Sequence, residues 1–246
     1  MPPLALVTGG CRRLGASIAA RLACAGYALA LHGHHDATPD AEFAEALVDV
    51  EWHGFVADFA APDAAEQLWA GVAARFGRAP DLLVNSASLF GQDRLDTVTA
   101  ADLATHHAVN CAVPALLTRC FAAAGGEGRA IVNILDQRIC RPHGDQLAYT
   151  LSKLALAGLT QIAARDLAPR IRVNAVAPGL TLATDDYAPE QVARLAAAMP
   201  LARLSTPADI AEAVLFLAET PGVTGQVVFV DGGAHHVTYP RDFMHL

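Results

Sequence analysis

Apolar residues gather along the chain into short runs at 4–8, 27–33, 51–57, 81–85, 129–135, 171–177 and 226–230. Between them lie longer alanine-rich segments whose polar positions recur at helical spacing. This alternation predicts an α/β fold, a single parallel sheet of about seven strands with helices covering both faces. The alanine- and leucine-rich run from Ala148 to Leu167 reads as a helix, and the segments 101–124 and 147–168 as two long ones. The longest stretch without a strand signal is 180–199, which holds Thr184, Asp185, Asp186 and Pro189 and whose second half, Pro189 to Ala198, fits a surface helix. No internal repeat, linker or low-complexity tail interrupts the pattern, so residues 1–246 read as one domain.

Composition narrows the class. A chain of 246 residues, 53% hydrophobic, can bury a large core. Its net charge of −8 and the lack of a basic run argue against a nucleic-acid partner, which needs a concentrated basic face. The start, Met1-Pro2-Pro3-Leu4, enters the first strand without a charged leader, and no apolar run approaches the ~20 residues of a membrane span. A cytoplasmic protein with no membrane partner is the expectation. The five cysteines, Cys11, Cys24, Cys111, Cys120 and Cys140, are odd in number and lack CxxC spacing, so they read as reduced thiols packed as small hydrophobes. The histidine pairs His34-His35, His106-His107 and His235-His236 are expected to point to different sides of their elements, so no metal site is assigned.

Candidate chemistry sits at the ends of the strands. Tyr149 and Lys153 are four residues apart in the predicted helix, and Asp136 precedes the tyrosine by thirteen. Positions i and i+4 share a helix face, so the lysine is expected to bias the phenol toward ionisation and make it a usable acid near neutral pH. The first strand runs into Thr8-Gly9-Gly10-Cys11-Arg12-Arg13-Leu14-Gly15 and then a helical pattern. Such a strand, glycine turn and helix cradles a pyrophosphate, because glycine lets the backbone approach and the helix N-terminus favours negative charge. Further motifs follow other strands: Ala57-Asp58-Phe59, Asn85-Ser86-Ala87-Ser88, Asn174-Ala175-Val176-Ala177-Pro178-Gly179 and Val230-Asp231-Gly232-Gly233.

That ordered set covers nearly the whole chain and resembles the short-chain dehydrogenase/reductase family, which implies a Rossmann-type doubly wound sheet. Within the family, three details are similar to the pteridine reductase branch, which includes bacterial dihydromonapterin and dihydrofolate reductases. Arg13 stands where most members have a middle glycine, Asp136 stands where most have the catalytic serine, and the fourth-strand motif continues as Ala87-Ser88-Leu89-Phe90.

The resemblance implies reduction of a dihydropteridine (dihydromonapterin, dihydrobiopterin or dihydrofolate) with NADPH. By it, Asp136, Tyr149, Lys153 and Asn110 are catalytic, Asn110 joining the lysine to a proton-resupply chain. Gly9, Arg12, Arg13, Leu14, His34, His35, Asp58, Phe59, Asn85, Ser86, Ala87, Ser88, Pro178, Gly179 and Leu180 line the cofactor together with Tyr149 and Lys153. Arg13, Ser88, Phe90, Asp136 and Tyr149 meet the substrate, Phe90 by stacking, and 180–199 forms a lid. NADPH is favoured because Gly33 occupies the place where NAD-dependent folds carry an acid for the ribose hydroxyl, and Arg12 lies nearby. His35 and Asp36 depart from the branch's His-x-His-Arg-Ser pattern at its arginine and serine. Two other readings stay open: a carbonyl reductase acting on a 3-oxoacyl thioester or sugar ketone, and a dinucleotide-sensing module without turnover. The apolar surplus of the two long helices predicts a homotetramer with 222 symmetry.

Overall fold

The seven apolar runs form seven strands: β1 (Leu4–Thr8), β2 (Ala28–Gly33), β3 (Trp52–Val56), β4 (Leu82–Asn85), β5 (Arg129–Ile134), β6 (Ile171–Pro178) and β7 (Val227–Val230). The structure, a computed structural model, describes residues 1–183 and 187–246. The strands make one parallel sheet in the order β3-β2-β1-β4-β5-β6-β7. Every residue of β1, β2, β4 and β5 is buried, whereas the edge strands β3 and β7 are half-exposed. Continuous apolar runs are what strands covered on both faces require. The expected Rossmann-type doubly wound architecture is therefore the observed one.

Helices α1 (Arg13–Cys24), α2 (Ala41–Glu45), α3 (Ala64–Phe76), α4 (Ala100–His107), α5 (Val113–Ala123), α6 (Leu147–Asp166), α7 (Pro189–Ala198) and α8 (Pro207–Glu219) complete the chain. One core layer joins α1 and α8 to the sheet through Ile18, Leu22, Ile210 and Val214, and the opposite layer joins α3, α5 and α6 through Leu68, Val72, Leu117, Phe121, Ala163 and Ala164. The chain runs outward from β1 through β2 to β3, then returns to lay β4 on the other side of β1. This reversal opens a crevice at the carboxyl ends of β1 and β4, the place where doubly wound sheets bind ligands.

Three details depart from the sequence expectation. The segment 101–124 is not one helix: a π-helical turn, Ala108–Ala112, separates α4 from α5. It carries Asn110, fully buried, whose side chain is engaged outside the helix, and such turns commonly mark functional positions. Helix α7 begins at Pro189 as expected but is not a plain surface helix, because Leu195 packs with Met199, Ala234 and Phe243 from the C-terminal tail. Thr184, Asp185 and Asp186 lie outside the described residues. All five cysteines are free, with Cys11 and Cys111 buried as expected but Cys24 and Cys140 exposed. No helix among the described residues is long and apolar enough to cross a membrane.

Candidate active site

The crevice widens into a cleft of about 550 Å³. Its floor is the glycine turn. Gly9 sits at φ +64 in the left-handed region, and a side chain there would meet the Cα of Ala87 at 3.0 Å, so the β1 and β4 turns touch only because Gly9 has none. Arg13 is also at φ +54, where L side chains are strained, at the position a middle glycine commonly fills. No side chain among the described residues caps the N-terminus of α1, and its first turn holds no acid. Its free N–H groups and dipole are thus available to an anion, and the turn fits a dinucleotide pyrophosphate. Arg12, Arg13, Leu14, Ser86, Ala87, Ser88, Pro178, Gly179 and Leu180 all line this cleft.

The turn is braced by a residue the sequence reading did not single out. His32, buried in β2, accepts the Gly9 N–H at Nδ1 (3.1 Å) and donates Nε2–H to the Ala57 carbonyl (2.9 Å), with its ring stacked on Phe59 at 4.0 Å. Burial drives its pKa down to about 4, and the ring stays neutral as an acceptor of the Gly9 bond requires. Phe59 is itself buried.

A second hollow of about 560 Å³ lies beyond β2 and β3, lined by His34, His35, Ala57 and Asp58. His34 Nε2 stands 3.2 Å from Asp58 Oδ1. The expectation that adjacent histidines diverge fails here: the His34 and His35 rings stack at 3.7 Å, because they lie past the end of β2, where strand alternation no longer applies. The His235 and His236 rings likewise meet, at 4.0 Å, on a 3₁₀ turn. Only the pair on α4 diverges, His106 buried and His107 exposed. Arg12 reaches across to Asp36 at 2.6 Å. Gly33 has a steric cause: a side chain there would strike the Asp36 carbonyl at 2.0 Å, so this turn has no room for an acid.

At the other end of the cleft stand Tyr149 and Lys153 on α6. Asp93 fixes the start of that helix by accepting the Ala148 N–H at 2.8 Å. The phenol of Tyr149 donates to Asp136 Oδ2 at 3.0 Å, and Lys153 Nζ donates to the Ile134 carbonyl at 2.8 Å. The expected lysine-driven ionisation of Tyr149 is corrected here. Burial raises the phenol's pKa well above its ordinary value and the facing Asp136 carboxylate adds to it, with Arg138 and Ser88 working the other way. Lys153 is itself pulled down to about 8, chiefly by desolvation. The resting tyrosine is a protonated donor beside a carboxylate.

Phe90 is not a core residue: it is 45% exposed and meets Tyr149 edge-to-face at 4.9 Å, leaving its other surface to the cleft. Asn110 makes its bonds to Leu89, whose N–H it accepts at 2.7 Å and whose carbonyl it donates to at 2.9 Å, and to Ser152 Oγ at 2.9 Å. It holds the loop bearing Ser88 and Phe90 against α6. Asn85 is buried and donates to Asn133 Oδ1 at 2.8 Å, so its side chain serves the sheet and does not line the cleft as expected. Sequence reasoning missed Arg138, Gln92, Asp242, Phe243 and Met244, which close the far wall together with Tyr187 of the 180–199 segment. The only signal was the aromatic and apolar content of the tail after Gly233.

A family model described as enoyl-(acyl carrier protein) reductase matches residues 10–235. An uncharacterized oxidoreductase of Mycobacterium tuberculosis is 35% identical, over 97% of this chain and 93% of its own. Pteridine reductase 1 of Leishmania tarentolae is 32% identical over 94% of this chain and 96% of its own, and a 3-oxoacyl-(acyl-carrier-protein) reductase of Staphylococcus aureus is also 32% identical, over 96% and 99%. Among solved structures, FolM alternative dihydrofolate reductase 1 from Brucella canis, complexed with NADP, superposes with a TM-score of 0.85 at 33% identity, covering 96% of this chain and 95% of that one.

Proposed function

The chain belongs to the short-chain dehydrogenase/reductase family, and we propose that within it this protein is an NADPH-dependent reductase of dihydropteridines. The observation that carries the substrate class is Asp136, which lines the cleft and whose Oδ2 accepts from the Tyr149 phenol at 3.0 Å. Reduction of a ring C=N needs a proton at nitrogen, and the flanking ring N–H and amine groups need an acceptor. A carboxylate paired with a phenol supplies both. The likeness to a pteridine reductase and to an NADP-bound alternative dihydrofolate reductase supports the same reading.

NADPH supplies the hydride when bound. The Gly9 turn and α1 N-terminus hold its pyrophosphate, Arg12 with His34 and His35 attracts the 2′-phosphate, and Asp58 meets the adenine. Lys153 anchors the ribose beside the nicotinamide. Phe90 offers the flat face against which a pteridine stacks, with Arg13 and Ser88 at its rim. Tyr149 gives its proton to the substrate, and Asp136 holds the substrate's N–H groups and steadies the phenol. The lid would be built from residues 180–183 and 187–199, of which Leu180, Thr181, Leu182 and Tyr187 line the cleft.

A carbonyl reductase is the competing reading, favoured by equal identity to the 3-oxoacyl reductase. The test is NADPH oxidation by the purified protein with dihydrobiopterin, dihydromonapterin and dihydrofolate beside a 3-oxoacyl thioester and a sugar ketone. Turnover confined to the carbonyl substrates overturns the proposal.

A further inference from the structure

Arg138 is 5% exposed and donates in three directions. Its backbone N–H and Nε reach Asp136 Oδ1 at 2.9 and 3.3 Å, Nη1 reaches Gln146 Oε1 at 3.0 Å, and Nη2 reaches Asp242 Oδ2 at 2.7 Å. Its guanidinium lies 5.1 Å from the Tyr149 ring and 5.6 Å from the Phe90 ring. One side chain thus touches both oxygen-bearing partners of the proton site and the stacking face. Gln146, immediately before α6, is held at φ +51, a conformation that costs a non-glycine residue energy and persists only where its surroundings impose it.

Asp242 belongs to the C-terminal tail, and the tail is bound on both sides. On the floor side, the Asp242 N–H donates to Asp145 Oδ2 at 3.0 Å. On the lid side, Gln191 of α7 donates to the carbonyls of Phe243 and Met244 at 3.0 and 3.2 Å, and Arg194 donates to that of Leu246 at 2.5 Å. Phe243 packs on Leu195 of the same helix. A continuous path of bonds therefore runs from α7 through the tail to Arg138 and on to the Oδ1 of Asp136, leaving Oδ2 for the phenol. A buried cation between two carboxylates is strongly perturbed by loss of either partner, because the remaining charges are left uncompensated.

We infer that Arg138 is a positioning residue for Asp136 and that Asp242 secures it, so that the C-terminal tail ties the lid helix to the group that handles the proton. This rests on the role proposed for Asp136. The dinucleotide end of the cleft is outside the path, so cofactor binding is unaffected.

The test compares Asp242→Asn, Arg138→Lys, Arg138→Met, Asp136→Ala and the double variant Arg138→Met/Asp136→Ala. With dihydropterin, Arg138→Met lowers kcat by about 100-fold, the scale of a misplaced reacting group. Arg138→Lys recovers about tenfold of that loss, and the NADPH dissociation constant stays within about twofold throughout. The double variant is no slower than Asp136→Ala alone, since Arg138 acts through that carboxylate. Amide hydrogen exchange across 189–198 and 242–246 quickens in Asp242→Asn, which is isosteric and keeps the fold, and is unchanged in Asp136→Ala. Losses that multiply in the double variant, a lysine no better than methionine, or unchanged exchange in Asp242→Asn would each overturn the inference. Should the parent reduce no dihydropterin, the substrate reading falls by itself and the exchange measurement alone decides the tether, for or against.

Discussion

The Tyr149 phenol donates its hydrogen to Oδ2 of Asp136 at 3.0 Å, while the Lys153 ammonium one turn away is bonded to the backbone of β5. Ionising the phenol in place would set two anions side by side in a buried site, so the resting dyad carries its proton on tyrosine. That is the state a reductase needs, since the proton must leave the enzyme with the hydride. It also makes the aspartate and tyrosine one unit, whose substitutions will not act independently.

Asp136→Ala is accordingly expected to remove most dihydropterin turnover while leaving NADPH affinity nearly unchanged, and Tyr149→Phe to cost about 10²- to 10⁴-fold in kcat, the range of a positioned proton donor. Asp136→Ser restores the family's usual residue and should still impair pterin reduction. Steady-state kinetics with a fluorescence titration of NADPH separate the two effects. A serine variant as fast as the parent removes Asp136 from the mechanism.

Cofactor discrimination turns on the Arg12–Asp36 pair, 2.6 Å apart and exposed. Asp36 occupies the guanidinium that a 2′-phosphate would use and adds its own negative charge beside it. Asp36→Ser is therefore expected to lower the KM for NADPH by about 3- to 10-fold with little change for NADH, and Arg12→Ala to raise it by a similar factor. Introducing an acid at Gly33 is a poor probe, because its side chain would meet the Asp36 carbonyl at 2.0 Å. An Asp36→Ser variant with unaltered NADPH kinetics would place the phosphate elsewhere.

The sheet and the Tyr149-Lys153 helix could be read from the chain because both are local. An unbroken apolar run has one stable use between two helix layers, and i, i+4 spacing fixes a shared face. What could not be read was set by distant partners. Arg138 meets Asp242 from 104 positions away, and no periodicity announces that pairing. The direction of the Tyr149 shift is hidden in the sequence for the same reason: the lysine is its neighbour along the chain, but burial by distant elements and then the facing Asp136 carboxylate raise the phenol. The stacked His34 and His35 escaped because strand alternation ends at Gly33.

His32 gives the fold a defined acid response. Its folded pKa of about 4 lies below the ordinary 6.5, so between those values the unfolded chain binds the extra proton. Stability from this residue is fully present above pH 6.5 and is lost as pH falls toward 4, by about 3 kcal/mol in all. Urea unfolding followed from pH 7 to 4.5 should show a slope smaller by about one proton in His32→Gln than in the parent. Equal slopes would mean that the Gly9 bond does not depend on a neutral ring.

Assembly is the last prediction. Leu151, Leu154 and Ile162 are 47, 37 and 69% exposed on α6 and fall within one helical stripe, and Leu103 on the neighbouring α4 is 38% exposed. A stripe of large apolar side chains on two adjacent helices is the kind of surface that a second copy would cover. Self-complementary contact across a twofold axis would pair α6 with α6, and the half-exposed edge strand β7 offers a second contact region, which together generate 222 symmetry. We therefore expect a homotetramer, and sedimentation at micromolar concentration should give about four times the 25.7 kDa chain mass. The double variant Leu151→Glu/Ile162→Glu places like charges opposite each other across the axis and should dissociate it. Because α6 also carries Tyr149 and Lys153, the dissociated form should lose turnover by about tenfold while its strands keep their far-ultraviolet signal. A parent that sediments at 25.7 kDa would rule the tetramer out and leave the stripe without a partner.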